Sequence, residues 1–263
     1  MKNITRLLYI EWIKISRKIS TWLMLGLYAF FSFIVFSIFK NFTINIDEEQ
    51  SMQAADVFSF DFEVVWVISA FLVSYLIWFL VMIIVSITAD DLRHNIWRQH
   101  LIEGLSRFQL LSSKVIIIMI LAAISTLVLA TVAAFAMYQH SISYDASMTG
   151  SVGMVMLKFY LYTVGFLLTG LLITQFVKST GFTIIIMLGW VWIAEPIIRY
   201  LDKSEITQYA FANSFNDLIH NPITEAAGFT GFQLSEPVAI AGSCIWIAVF
   251  LVLSWWKMSK SDL

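Results

Sequence analysis

The chain has 263 residues, of which 59% are hydrophobic, 16% aromatic and only 13% charged, with a mean hydropathy of +0.81. That composition lies outside the soluble globular range and assigns the chain to the integral membrane class. A formal net charge of -2 offers no basic surface for nucleic acid, and the lone Cys244 excludes an intrachain disulfide and a cysteine metal site.

The N-terminal 22 residues carry an amphipathic stripe. Ile4, Leu8, Trp12, Ile15, Ile19 and Trp22 recur at spacings of three and four, while Lys2, Arg6, Lys14, Arg17 and Lys18 sit off that stripe. The pattern predicts an interfacial helix over residues 1–20, lying flat in the inner leaflet. A secretory signal peptide is the competing reading. The spread of the basic residues, the length of the next apolar run and the absence of a small-x-small site before Lys40-Asn41 all oppose it.

Residues 21–256 are expected to hold six spans, since a bilayer core of about 30 Å needs about 20 apolar residues. They are placed at Thr21 to Phe39, Val64 to Ala89, Val115 to Tyr138, Leu157 to Val177, Phe182 to Tyr200 and Pro237 to Trp256. With the N-terminus inside, twelve of the sixteen Lys/Arg fall on the inner side. Both termini, including a 257–263 tail, are therefore expected in the cytoplasm. The outer segments are acidic, at Asp47, Glu48, Glu49, Asp56, Asp61 and Glu63, then at Asp202, Glu205, Asp217, Glu225 and Glu236. Nothing in the spacing of Asp47-Glu48-Glu49 resembles a calcium loop, and a solvated face accounts for it.

The stretch from Ala89 to Lys114 is a polar island between two apolar segments. Trp97, Leu101, Leu105 and Phe108 share one helical face, with Arg93, Arg98, Gln99 and Glu103 largely off it. Gly104 is a helix stop, and Ser106-x-x-Gln109 has the form of a capping box that starts the next helix. Two readings stay open: a linker lying on headgroups, and a docking helix for a cytoplasmic partner.

In the third span Ala122, Thr126, Ala130 and Ala134 form a small-residue stripe suited to close helix packing, within the subunit or across a dimer. In the fifth, Glu195-Pro196 interrupts the apolar run and predicts a kink. Glu195 and Arg199 lie one turn apart, where they either neutralise each other or gate the outer end. Tyr209 to Gly231 is too apolar for a solvated loop and predicts one or two short helices dipping into the outer leaflet.

No phosphate-loop motif and no H-E-x-x-H pair occurs, and the four histidines are expected on both sides of the membrane. An enzyme, a rhomboid-like protease included, finds no cluster to work with.

Taken in order, a basic interfacial helix, six spans, a long first inner loop with an amphipathic helix and irregular outer structure before the last span resemble the ABC-2 type permeases. Glu11-x-x-Lys14-x-x-Arg17-Lys18 and Gly104-Leu105-Ser106-Arg107 with Lys114 are similar to that family's loose patterns; Leu105 stands where many members have Pro. The resemblance implies an all-α membrane domain over residues 1–263. It implies a permease subunit that dimerises with itself or a similar chain in the inner membrane. It binds no cofactor itself, ATP and Mg being held by a separate cytoplasmic ATP-binding cassette ATPase. It also makes the 89–114 loop the coupling helix, with Arg93, Trp97, Arg98, Leu101, Leu105 and Arg107 toward the ATPase; Glu195, Pro196 and Arg199 are, from the residues themselves, the candidate outer gate. A route lined by aromatic residues and Met favours an amphipathic or hydrophobic cargo, such as a peptide, drug or lipid, moved outward. The rival reading is a non-transporting membrane binding, immunity or sensor protein.

Overall fold

The computed structural model describes residues 2–40, 43–47, 50–53, 62–139, 149–201, 209–222 and 234–260. Eleven labelled helices follow one another: α1 (Lys2–Arg17), α2 (Ile19–Lys40), α3 (Phe62–Ser74), α4 (Ile77–Arg93), α5 (Ile96–Ile102), α6 (Arg107–Gln139), α7 (Thr149–Val177), α8 (Thr180–Gly189), α9 (Glu195–Leu201), α10 (Phe211–Asn216) and α11 (Glu236–Lys260). A π-helical turn, Trp190–Ala194, joins α8 to α9.

The expected all-helical fold has one exception. Strands β1 (Thr43–Asp47) and β2 (Gln50–Gln53) pair as an antiparallel hairpin. Thr-Ile-Asn-Ile-Asp alternates polar and β-branched apolar residues, which is the strand period. The acids Glu48, Glu49, Asp56, Asp61, Asp202, Glu205 and Glu225, and the outer stretch beyond Pro222, lie outside the described residues.

Among the described residues, five helices are long and apolar enough to cross a membrane: Ile19–Ile38, Arg107–Gln139, Gly150–Val177, Thr180–Ile198 and Glu236–Lys260. The pair α3 and α4, bent by 42° at its break, brings the number to six when counted as one span. The Gly150–Val177 span is the centre of the bundle: 61% of its most apolar 18-residue stretch is buried, against 17% for Thr180–Ile198 and 22% for the first and last spans. On the outer spans large apolar side chains face outward, among them Phe30, Ile185, Ile245 and Val252. Such a surface is stable only against hydrocarbon or another chain, so this is a multi-pass membrane protein.

One connected core runs from Leu7 of α1 to Met258 of α11. Two features let backbones come close within it. Gly165 of α7 lies against the ring of Phe215 of α10, where an added Cβ would stand 2.3 Å from a ring carbon. On α6, Ala122 is fully buried and Ala130 packs beside Trp66, but Ala134 is exposed. A four-residue step overshoots one 3.6-residue turn, so the stripe winds out of the interior. Its inner part therefore serves packing within the subunit.

The break in the second span has its own hydrogen bonds. Ser74 Oγ donates back to the carbonyl of Phe71 at 2.7 Å, and the Tyr162 hydroxyl of α7 donates to the Ser74 carbonyl at 3.4 Å. Side chains thus take over acceptors near a point where the helix ladder stops. In the fifth span, where a kink is expected, the helix winds as a π turn just before Glu195-Pro196. Pro196 has no N–H to close the regular turn behind it.

Gly165→Ala should destabilise the detergent-solubilised protein by roughly 1–3 kcal/mol, as overpacking does in a close-packed core. Combining it with Phe215→Leu, which vacates part of the ring's space, should restore much of the loss in thermal unfolding.

Candidate functional site: a buried charge cluster behind helix α5

At one end of the bundle α1, α4 and α6 converge. Leu7 and Glu11 of α1 are 1% and 2% exposed; of the apolar stripe, Ile15 packs against the core, whereas Trp12, and Ile19 and Trp22 at the start of α2, are more than half exposed. Two of the basic residues off the stripe turn inward: Lys14 and Lys18 follow Glu11 at spacings of three and four and reach acids on α4, while Arg17 is exposed. The turn to α2 is closed by Trp22 Nε1, which donates to the carbonyl of Ser16 at 2.9 Å.

Lys114, two turns into α6, is 1% exposed. Its Nζ donates to Glu11 Oε2 at 2.9 Å and to Asp91 Oδ2. Lys14 Nζ lies 3.1 Å from Asp91 Oδ1 and 3.4 Å from Glu11 Oε1. Beside this quartet Lys18 Nζ donates to Asp90 Oδ2 at 2.5 Å and to Ser86 Oγ at 2.6 Å. Three lysines thus meet three carboxylates from three helices, and the cluster is neutral. Neutrality matters because removing one partner of a buried pair leaves an uncompensated charge, at a cost of about 3–5 kcal/mol.

Helix α5 sits between two of the tethered helices. Asn95, in the left-handed conformation at φ 54°, turns the chain from α4 into α5, and Gly104 at φ 91° turns it out again. The predicted capping box is present: Gln109 N–H donates to Ser106 Oγ at 3.2 Å, and Ser106 N–H donates to Gln109 Oε1 at 2.9 Å. It starts α6, so the Gly104 stop and the new helix fall where the sequence puts them.

The six residues expected to face a partner are divided. Trp97 is 2% exposed and belongs to the core, a correction to its reading as a docking anchor. Leu101 and Leu105 are half-buried against the same core. The reason is length: a seven-residue helix is not stable alone and buries its apolar face against its own bundle. The stripe is also discontinuous, since Phe108 belongs to α6 and packs edge-on against Trp255 of α11. Arg107 donates to the carbonyls of Met258, at 2.6 Å, and Ser259, tying α6 to the end of α11. What α5 turns outward is Arg98, Gln99 and Ile102, the last 79% exposed, with Arg93 on the preceding turn.

At the opposite end, Glu195 is 4% exposed, and its Oε1 accepts the backbone N–H of Asn213 at 2.8 Å in the first turn of α10. The acid thus joins the fifth span to α10, which Ser243 Oγ and Trp246 Nε1 of α11 hold from the other side through the carbonyls of Ser214 and Tyr209. Pro196 is exposed. The Arg199 side chain, and with it the expected Glu195–Arg199 pair, lies outside the described residues.

Sequence reasoning noted Glu11, Lys14, Lys18 and Lys114 only as a loose pattern and did not connect them with Asp90 and Asp91. The available signal was Asp90-Asp91 at the end of an apolar span and Lys114 near the start of the next. Charges so placed in hydrocarbon-facing helices need partners.

Lys114→Met should lower stability by about 3–5 kcal/mol and flatten the thermal unfolding transition, since Glu11 and Asp91 are left facing each other. Adding Glu11→Gln, which leaves Lys14 paired with Asp91 and the quartet neutral again, should recover most of it. A single variant as stable as the wild type would show that the cluster carries no such strain.

No curated protein matches the chain. Residues 7–192 match the family described as ABC-2 family transporter protein. The match starts on the buried face of α1, covers the whole charge cluster and α5, and runs into the π turn. Spanning well over half of the sequence, it establishes that the chain belongs to the ABC-2 transporter family and is the membrane-spanning permease component of an ABC transporter.

Proposed function

We propose that the chain is the permease of an ATP-driven exporter and that α5 is its coupling helix, seated on a cytoplasmic ATP-binding cassette ATPase that holds the ATP and Mg. The observation that carries this reading is the neutral buried cluster of Glu11, Lys14, Asp91 and Lys114, which ties α1, α4 and α6 together behind α5. A push on α5 then acts on two spans at once, because both helices flanking it are held by the same ion pairs. The contact surface is Arg93, Arg98, Gln99 and Ile102, with Trp97, Leu101 and Leu105 fixing the helix from behind. A second permease chain completes the transporter, both termini lie in the cytoplasm, and the cargo is amphipathic or hydrophobic. Glu195 serves at the outer end, where its bond to α10 would transmit movement of the fifth span.

Arg98→Glu with Ile102→Asp should reduce co-purification of the ATPase at least about tenfold, as loss of two exposed anchors does at an interface, while leaving thermal unfolding unchanged. Trp97→Ala should reduce both. A wild-type chain that brings down no ATPase would favour the sensor or immunity reading instead.

In a Cys244→Ser background, Asn45→Cys and Ser235→Cys should react with an impermeant thiol reagent in intact cells and Gln99→Cys should not. The reverse pattern would invert the proposed topology.

A further inference from the structure

Where the second span breaks, it faces the π turn and α10 across a cavity of about 260 Å³. Six of the side chains on its wall are aromatic: Phe71, Tyr75, Trp78, Tyr162, Phe166 and Trp192. They form two runs of neighbouring rings. Phe71, Tyr75 and Trp192 succeed one another at centroid distances of 5.2 and 6.0 Å, and Trp78, Phe166 and Tyr162 at 6.0 and 4.7 Å. The rings meet at steep angles, 89° between Phe71 and Tyr75 and 71° between Trp78 and Phe166, so they enclose a space instead of stacking flat. Tyr162 and Phe166 are buried and make the floor, while Tyr75 and Trp192, 47% and 55% exposed, stand at the mouth.

Two of the helices that border this space leave α geometry at the same place, one broken after Ser74 and one wound as a π turn beside Trp192. Such departures give up regular hydrogen bonds and gather at functional sites. The polar wall groups, Ser74, Asn216 and Asn221, carry no charge. Among the described residues of this wall, a carboxylate or phosphate finds no cation, and a primary ammonium, which holds its water tightly, finds no acid to replace it. What the wall does supply is the quadrupole of six rings, which attracts a weakly hydrated organic cation. An adjoining cavity of about 350 Å³ shares Ile219 with the first and is lined by Glu63, Glu236, Lys158 and His220. Lys158 and Glu236 pair with each other, and Glu63 tips that compartment toward cations.

We propose that the aromatic cavity binds a quaternary ammonium group, carried by a free organic cation or by a lipid headgroup. Its meaning as a cargo site rests on the transport reading, but binding is measured on this chain without the ATPase. A failed pull-down therefore leaves the site standing, and a failed binding assay leaves the transport reading standing.

The test is saturation-transfer NMR on the full chain in phosphatidylglycerol nanodiscs, with choline and its uncharged carbon isostere 3,3-dimethylbutan-1-ol. Choline should bind roughly tenfold more tightly than the isostere. Tyr75→Leu with Trp192→Leu keeps apolar bulk at the half-exposed mouth but removes two rings, and should bring choline down to the level of the isostere. Trp192→Phe, which keeps a ring, should retain most of the binding. Equal binding of the two compounds by the wild type overturns the proposal, whether or not the variants fold. So does undiminished choline binding in a double leucine variant with a wild-type unfolding midpoint. Repeating the titration in phosphatidylcholine nanodiscs separates the sources: displaced choline identifies the lipid headgroup as occupant, and undisplaced choline a free cation, each upholding the site.

Discussion

A lysine ammonium buried at the end of a membrane bundle is tolerable only if its charge is answered on the spot, and Lys114 is answered twice, by Glu11 and by Asp91. Two carboxylates around one lysine would leave a surplus, and Lys14 removes it by bridging the same two acids. Each ion needs the others because dehydrated charges cost several kcal/mol apiece when unmatched. The consequence is geometric. The shared ion pairs hold α1, α4 and α6 to one another, and the short helix α5 lies between two of them.

The two ends of the bundle are built on different physics. At the end carrying α1 and α5, charge pairing and a capping box set the geometry. At the other end irregular backbone is made good by single side-chain bonds: Tyr162 to Ser74, Glu195 to Asn213, Ser243 to Ser214 and Trp246 to Tyr209. Individually such bonds are modest, about 0.5–1.5 kcal/mol each and up to about 3 kcal/mol with an ionised partner. Under the proposed coupling role of α5, a push delivered through the end carrying that helix would be taken up where the helices are already broken, around the aromatic cavity.

The membrane class, five of the six expected spans, the Gly104 stop and the Ser106–Gln109 capping box were all legible in the sequence, since each depends on residues within a few positions of one another. So was the disturbance at Glu195-Pro196, because a missing N–H acts wherever proline stands. The β1–β2 hairpin could have been read from the alternation of Thr43–Asp47, but five residues are a weak signal beside long apolar runs.

Which face of each helix turns inward was another matter. Amphipathic periodicity identifies an apolar face, and in a membrane that face has two competing destinations, lipid and protein interior. In α1 the stripe residue Trp12 is exposed while Glu11 is buried and Lys14 turns to meet it; in α5 the interior took Trp97. The sequence by itself determined the class, the spans and the local stops, because hydropathy, capping and proline act over one or two turns. Only the tertiary structure decided that Glu11, Asp91 and Lys114 meet across 103 and 23 residues, because long-range ion pairing depends on how helices pack, and packing leaves no periodic mark on the chain.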